Sequence, residues 1–278
     1  VTGPAHDRAR QQIHAWGVVA DETRETDGSI LTFGTRGDRA IVLKVTKQLG
    51  DERRCGEVLD AFDGHGVIRP LAFADGAVLM DRLQPGTPLA QLSLAGRDAE
   101  ATGILAHVIR EMSPPRHLPG LPCVEDFAGS FETYLTSGHQ HFPSRLVEDA
   151  QQAYADLCKS QTAARLLHGD LHHYNVLRDD QRGWLAIDPK GVVGELEYEL
   201  GASLRNPFER PELFIRRETL ESRLRVFEKA LDVDSTRVLR WAYAQAVLAT
   251  IWLVEDGMPC DGGHPVLALA RVARSMLA

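Results

Sequence analysis

The feature that most constrains this chain is a run of punctuation, Leu83-Gln84-Pro85-Gly86-Thr87-Pro88, because the hydrophobic pattern changes its period across it. Before it, from about residue 22, the chain reads as short β-rich runs with one helix; after it, apolar residues recur at helical spacing. A chain of 278 residues also exceeds what one core usually holds, so two unequal lobes are expected, residues 1–84 and residues 85–278. No repeat period is visible.

In the smaller part, ILTF and RAIVLKV flank Gly34-Thr35-Arg36-Gly37-Asp38 and read as a hairpin, since glycines accept the turn's backbone angles. DERRCGEVLDAF places Cys55, Val58, Leu59 and Phe62 at helical spacing, ended by Gly64-His65-Gly66. Two strands follow, VIRPLAF and GAVLMDRL. In the larger part the spacing predicts helices near 97–112, 124–137, 145–162, 217–231, 235–255 and 264–277. Between them lies a polar and strand segment from Leu166 to Pro189, and GELEYELGASL beyond it begins to look helical.

Composition excludes several classes. Lysine and arginine number 31 against 39 aspartates and glutamates, a formal charge of −8, which disfavours nucleic acid as a partner. No apolar run approaches the ~20 residues that span a bilayer, and VTGPAHDRARQQ lacks a secretory leader's apolar stretch, so the expectation is a cytoplasmic protein without a membrane partner. Cys55, Cys123, Cys158 and Cys260 are far apart, with no C-x-x-C pair, and read as free thiols.

Chemistry concentrates in His168-Gly169-Asp170-Leu171-His172-His173-Tyr174-Asn175, followed by a second predicted hairpin and Ile187-Asp188-Pro189. Phosphoryl transfer needs a carboxylate beside the attacking hydroxyl and oxygen ligands for the magnesium that neutralises the phosphates. A D-x-x-x-x-N loop with a second aspartate at the end of the following hairpin meets both needs, so Asp170 is the candidate base and Asn175 and Asp188 the candidate metal ligands. His168 is expected to position the loop. The adjacent His172 and His173 have no Cys or Glu partner and do not read as a metal site.

The stretch LLHGDLHHYNVL…GWLAIDPKGVVGE closely resembles the aminoglycoside phosphotransferases, and within them the streptomycin 6-phosphotransferase and hydroxyurea-kinase branch, with its HGDLHHEN and GWLVIDP-type motifs. The likeness runs from the first hairpin to the C-terminal helices, including VFEKALDVDSTRVLRWAYAQAVLATIW. It implies an α+β, protein-kinase-like bilobal fold, with ATP between a small β-rich N-lobe and a larger helical C-lobe. It also implies Mg2+ as cofactor and transfer of the γ-phosphate to a hydroxyl of a cationic aminoglycoside, streptomycin above all, with a metabolite-alcohol or hydroxyurea kinase as the alternative. Two departures stand out: Tyr174 replaces the usual Glu, and Asp188 is followed by Pro-Lys with no later A-P-E, which argues against a peptide-docking protein kinase.

In the small lobe, Lys44 is a lone charge in an apolar strand, and ATP phosphates would partner it. Glu52 and Glu57 compete to hold that lysine, and the helical wheel favours Glu52. Gly28 and Ser29, in the turn Thr26-Asp27-Gly28-Ser29, are candidates to cover the phosphates. Met80 to Leu83, with Met80, Asp81 and Leu83 named, would form the adenine-binding hinge. For the acceptor, Glu195, Glu197 and Glu199 after the metal site and Glu255 and Asp256 at the end of the 235–255 helix are the acidic candidates, of which Glu195, Glu255 and Asp256 are preferred.

Overall fold

The computed structural model describes residues 3–112, 118–138, 141–258, 260 and 263–278. The N-lobe opens with helix α1 (Pro4–Ala15), followed by strands β1 (Val19–Glu25), β2 (Ser29–Arg36) and β3 (Arg39–Thr46). A 3-10 turn (Asp51–Arg54) leads into α2 (Cys55–Ala61), then β4 (Pro70–Ala74) and β5 (Ala77–Asp81). The five strands form one antiparallel sheet in the order β1-β2-β3-β5-β4. The predicted 34–38 turn tightens to Gly37-Asp38, because Arg36 still pairs with Arg39.

Strand periodicity explains which way Lys44 faces. Ile41, Leu43 and Val45 of β3 are fully buried and pack with Ala5 and Ala9 of α1 on one face of the sheet. Val42 and Lys44 alternate with them and therefore face the interlobe cleft. Sequence reading assigned no element before residue 22; α1 carries only two buried alanines, so its apolar stripe is weak.

Strand β6 (Pro85–Pro88) leaves the N-lobe sheet and pairs with β8. The C-lobe continues with α3 (Ala90–Leu94), α4 (Asp98–Glu111), a 3-10 turn (Val124–Ala128), α5 (Gly129–Thr136) and α6 (Ser144–Lys159). Then come β7 (Arg165–Leu167), β8 (Val176–Asp179), β9 (Gly183–Ala186) and β10 (Val192–Gly194). Helices α7 (Leu196–Leu204), α8 (Pro211–Phe214), α9 (Arg217–Leu231), α10 (Ser235–Glu255) and α11 (Pro265–Leu277) complete the lobe. Sheet order β6-β8-β9 and the separate pair β10-β7 bracket the polar segment singled out above.

Helix α10 is the lobe's axis, packed by α5, α6, α7, α9 and α11. Asp234 caps it by accepting the Thr236 N–H at 2.8 Å. Trp241 is fully buried, edge-on to Tyr154 at 5.2 Å and to Tyr198 at 5.1 Å. The main core runs on into the N-lobe through Val58, Leu59, Met80 and Leu83, so one continuous apolar cluster ties α2 and the hinge to the helical lobe. Among the described residues no helix is long and apolar enough to cross a membrane.

Candidate active site

The loop from His168 to Asn175 joins β7 to β8. Gly169 turns it with φ +83°, a conformation that L side chains rarely adopt. His168 is fully buried; its Nε2–H donates to the Ile187 carbonyl at 2.8 Å, which leaves Nδ1 to accept the Asp170 N–H at 3.3 Å. Burial pushes this imidazole down to about 4, so it stays neutral and braces the loop against the strand end that precedes Asp188. The Asn175 side chain donates through Nδ2 to the Asp170 backbone carbonyl at 3.0 Å, and the Asn175 backbone carbonyl accepts the Ile187 N–H at 2.9 Å. Its Oδ1 is the oxygen this arrangement leaves for a ligand.

Beneath the loop sits Glu199 of α7, fully buried. Its carboxylate accepts the backbone N–H groups of His168 at 2.6 Å, Gly169 at 3.1 Å and Leu171 at 3.4 Å. Burial outweighs these donors and pushes the carboxyl up to about 7. Sequence reading passed over this role. The available signal was that Glu199 falls within the stripe of Leu196, Leu200 and Ser203, where an acid needs buried partners.

Asp170 is partly exposed. Burial alone would raise its carboxyl; Lys190 at 3.5 Å, His172 at 3.9 Å and Arg205 at 3.4 Å overcome this and hold it well below the usual carboxylate range. All three contacts are longer than the ~2.7–2.9 Å of a tight charge-assisted hydrogen bond, so the carboxylate keeps capacity for an incoming hydroxyl. Neither Lys190 nor Arg205 was singled out from the sequence.

Asp188 follows β9 with φ +64°, an uncommon conformation for a residue with a side chain, of the kind that gathers at functional sites. Its carboxylate pairs with Lys44, whose Nζ also meets Glu52 Oε2 at 2.5 Å. Burial lowers the Lys44 ammonium, but Asp188 and Glu52 together push it up to about 12. Glu52 lies in the 3-10 turn, one turn before the predicted helix settles, while Glu57 pairs with Arg54 at 2.6 Å. Cys55 is buried beside Asp188, and burial raises its thiol, so it does not ionise readily.

Two cavities are lined by these residues. One, of about 460 Å³, lies under the N-lobe sheet and is lined by Gly28, Ser29, Lys44, Glu52, Met80, Asp81, Leu83 and Asp188. Thr26 closes the turn by donating its N–H to the Ser29 carbonyl at 2.9 Å and accepting the Ser29 N–H through Oγ1 at 3.0 Å. The Asp81 carboxylate is held by Arg39 at 2.8 Å and Arg182 at 3.4 Å. Phe33, with Arg24 and Arg82 each 5.0 Å from its ring, adds a wall that sequence reading missed. The second cavity, of about 230 Å³, contains Asp170, Lys190 and Arg205 with the apolar surfaces of Leu121, Phe127 and Trp252.

The acidic candidates part ways. Glu195 is 1% exposed, and its carboxylate binds Arg237 Nε at 2.6 Å and the Trp241 indole N–H, so it is an internal tether of α10 and not a wall of either cavity. The reason is geometric: as N-cap of α7, after β10, it turns inward, away from the acceptor-binding position expected for it. Glu255 and Asp256 are exposed and continue the Gln245–Leu248–Ala249–Trp252 face of α10 one turn beyond the second cavity.

A family model described as aminoglycoside/hydroxyurea antibiotic resistance kinase matches residues 15–257. Over 271 residues the chain is 32% identical to a streptomycin 3''-kinase of Klebsiella pneumoniae, covering 95% of this chain and 100% of that protein. It is 30% identical over 240 residues to a hydroxyurea phosphotransferase of Kitasatospora aureofaciens, covering 80% and 68%. Among solved structures, a thermostable mutant of aminoglycoside phosphotransferase APH(4)-Ia, in a ternary complex with AMP-PNP and hygromycin B, superposes with a TM-score of 0.67 at 17% identity over 96% of this chain and 98% of that one. That likeness establishes the bilobal, protein-kinase-like fold.

Proposed function

The chain belongs to the aminoglycoside/hydroxyurea antibiotic resistance kinase family, and on that premise we propose that it transfers the γ-phosphoryl group of ATP to a hydroxyl of a small acceptor held against Asp170. The observation that carries this reading is the placing of the two aspartates on two separate cavities with their segments tied by one hydrogen bond. Asp188 and Lys44 line the one beneath the N-lobe sheet, Asp170 lines the other, and the His168–Ile187 hydrogen bond fixes the two aspartate segments to each other.

In this reading ATP lies beneath β1–β3, with adenine at Met80–Leu83, the Gly28–Ser29 turn over its phosphates and Lys44 on the α- and β-phosphates, oriented by Glu52. Asp188 and Asn175 offer a carboxylate and an amide oxygen, the donor chemistry of Mg2+, which takes one or two protein oxygens and completes its shell with phosphate and water. When bound, that ion neutralises charge on the transferring phosphates. Asp170 orients the acceptor hydroxyl and receives its proton as the new O–P bond forms and the bond from Pγ to the ADP oxygen breaks. Because Lys190 and Arg205 keep Asp170 a weak base, its main contribution is orientation, and the proton passes on to solvent or phosphate.

The finer acceptor reading is streptomycin, supported by the motif resemblance and by the Klebsiella relative. Glu255 and Asp256, one turn of α10 beyond the second cavity, would pair with its guanidinium groups. Hydroxyurea is a second reading, favoured by that cavity's volume of about 230 Å³, below the ~300–1,000 Å³ usual for ligand pockets. The test mixes the protein with Mg-ATP and streptomycin, hydroxyurea or metabolite alcohols, and seeks the mass gain of one phosphate. Fragmentation of a streptomycin product would locate it at position 6, as the motifs suggest, or 3''. ADP release without a phosphorylated acceptor anywhere in the panel would overturn the proposal.

A further inference from the structure

A row of three rings leads outward from the carboxylate of Asp170. His172 Nε2 is 3.9 Å from Asp170 Oδ1, the His172 ring meets Tyr174 edge to face at 5.9 Å, and Tyr174 lies 5.4 Å from Phe208. Exposure rises along the row: the His172 side chain is 17% exposed, Tyr174 is partly buried and Phe208 is 60% exposed. None of the three lines either cavity, so the row forms a separate shelf beside Asp170.

The outer end of the shelf is anchored from below. Asn206 donates through Nδ2 to the Ala202 carbonyl at 2.9 Å, and its own backbone carbonyl accepts a hydrogen bond from Arg223 Nη1 at 2.7 Å. Arg223 is fully buried and fixed to Asp98 by contacts of 2.7 and 2.9 Å. Phe208 therefore stands two residues beyond a fixed point, while Arg205, one residue before that point, reaches Asp170 at 3.4 Å. Glu209 follows Phe208 and is exposed, and among the described residues no hydrogen bond or ion pair occupies its carboxylate. The next cation, Arg210, is already paired with Glu212. An open aromatic face beside a free carboxylate has the chemistry of a cation subsite: the negative face of the ring attracts a guanidinium, and the carboxylate pairs with it.

Resting on the phosphotransferase reading above, we infer that Phe208 and Glu209 form a subsite for a guanidinium group of the acceptor, which lies along the His172–Tyr174–Phe208 row while its hydroxyl meets Asp170. The second cavity, at about 230 Å³, is smaller than the ~300–1,000 Å³ usual for drug-sized ligands, so part of a molecule the size of streptomycin must rest outside it. Streptomycin carries two guanidinium groups, and the shelf offers a seat for such a group in addition to Glu255 and Asp256.

The test compares streptidine, a cyclitol bearing two guanidinium groups, with scyllo-inositol, the same ring with hydroxyls in their place. Calorimetric titration into the full chain without nucleotide is expected to show streptidine binding at least about fivefold more tightly. Phe208→Leu keeps apolar bulk but removes the ring, and should lower that ratio about two- to fivefold, the range for a cation over an exposed aromatic face, whereas Phe208→Trp should preserve it. Glu209→Gln should lower the ratio by a similar factor, with thermal unfolding confirming that the variants fold. Equal binding of the two cyclitols, no binding of streptidine, or a ratio unchanged in either Phe208→Leu or Glu209→Gln would each overturn the inference. Failure of the phosphotransferase reading is separate: it is scored on phosphoryl transfer from Mg-ATP to the wider panel, which these titrations do not involve.

Discussion

Replacing Glu199 by Gln probes how the His168–Asn175 loop is held. In the native site both carboxylate oxygens accept backbone N–H groups, Oε2 from His168 at 2.6 Å and Oε1 from Gly169 at 3.1 Å and Leu171 at 3.4 Å. An amide has one acceptor oxygen, so its NH2 must face one of these donors, and at least one buried N–H loses its partner. An unsatisfied buried donor costs about 1–3 kcal/mol, and a hydrogen bond to a charged group contributes about 1.5–3 kcal/mol, while removing a buried charge returns part of this. A net loss of about 2–4 kcal/mol is expected, which lowers Tm by about 4–12 °C for a chain of this size. Displacement of the loop by about 1 Å would reduce kcat on the order of 10²-fold. Glu195→Gln is the control: it breaks an equally buried tether to Arg237 and Trp241 but touches no residue of the loop, so it should lower Tm with a much smaller effect on kcat. Thermal denaturation and steady-state kinetics on both variants decide the matter, and a Glu199→Gln protein with native Tm and kcat would refute the reasoning.

Glu199 also gives a signed pH effect. Burial raises its carboxyl from 4.5 to about 7, so the folded chain holds this proton longer than the unfolded one; the group's contribution is complete below about pH 4.5 and is lost as pH rises through about 7. The stability gap between the native protein and Glu199→Gln should therefore be wider at pH 5 than at pH 8, as measured by urea denaturation. In a double-mutant cycle on KM for ATP, Glu52→Gln and Lys44→Ala should couple, whereas Glu57→Gln, whose carboxylate is on Arg54, should be additive with Lys44→Ala. Gly191→Ala should destabilise by about 1–2 kcal/mol from its positive φ alone, and by more because the added Cβ would lie 2.5 Å from Val58 Cγ2; chemical denaturation reads this out.

The parts of this molecule that were legible in sequence are those whose geometry is local. Asp170 and Asn175 share one loop, and Asp188 is returned to it by a short hairpin, so residue spacing alone brings them together. The long helices α9, α10 and α11 announce themselves by period, and the orientation of Lys44 follows from strand alternation. What sequence reading missed depends on contacts between distant segments. Whether Glu195 and Glu199 face solvent or the interior is decided by how the turn after β10 seats α7 against β7 and α10, and the text GELEYELG reads equally well as a solvated acidic face. Lys190 and Arg205 are unremarkable as sequence, one after a proline and one at a helix end. They acquire a role only because the 188–192 segment and the C-terminal end of α7 both converge on Asp170.

The most direct test of the central claim is phosphoryl transfer by Asp170→Ala, measured beside nucleotide binding by the same preparation. With Mg-ATP and whichever panel compound the native protein phosphorylates, kcat should fall by about 10²–10⁴-fold while the Kd for ATP stays close to native, because Asp170 lines the second cavity and not the one under the N-lobe sheet. Turnover at the native rate by Asp170→Ala would contradict the account.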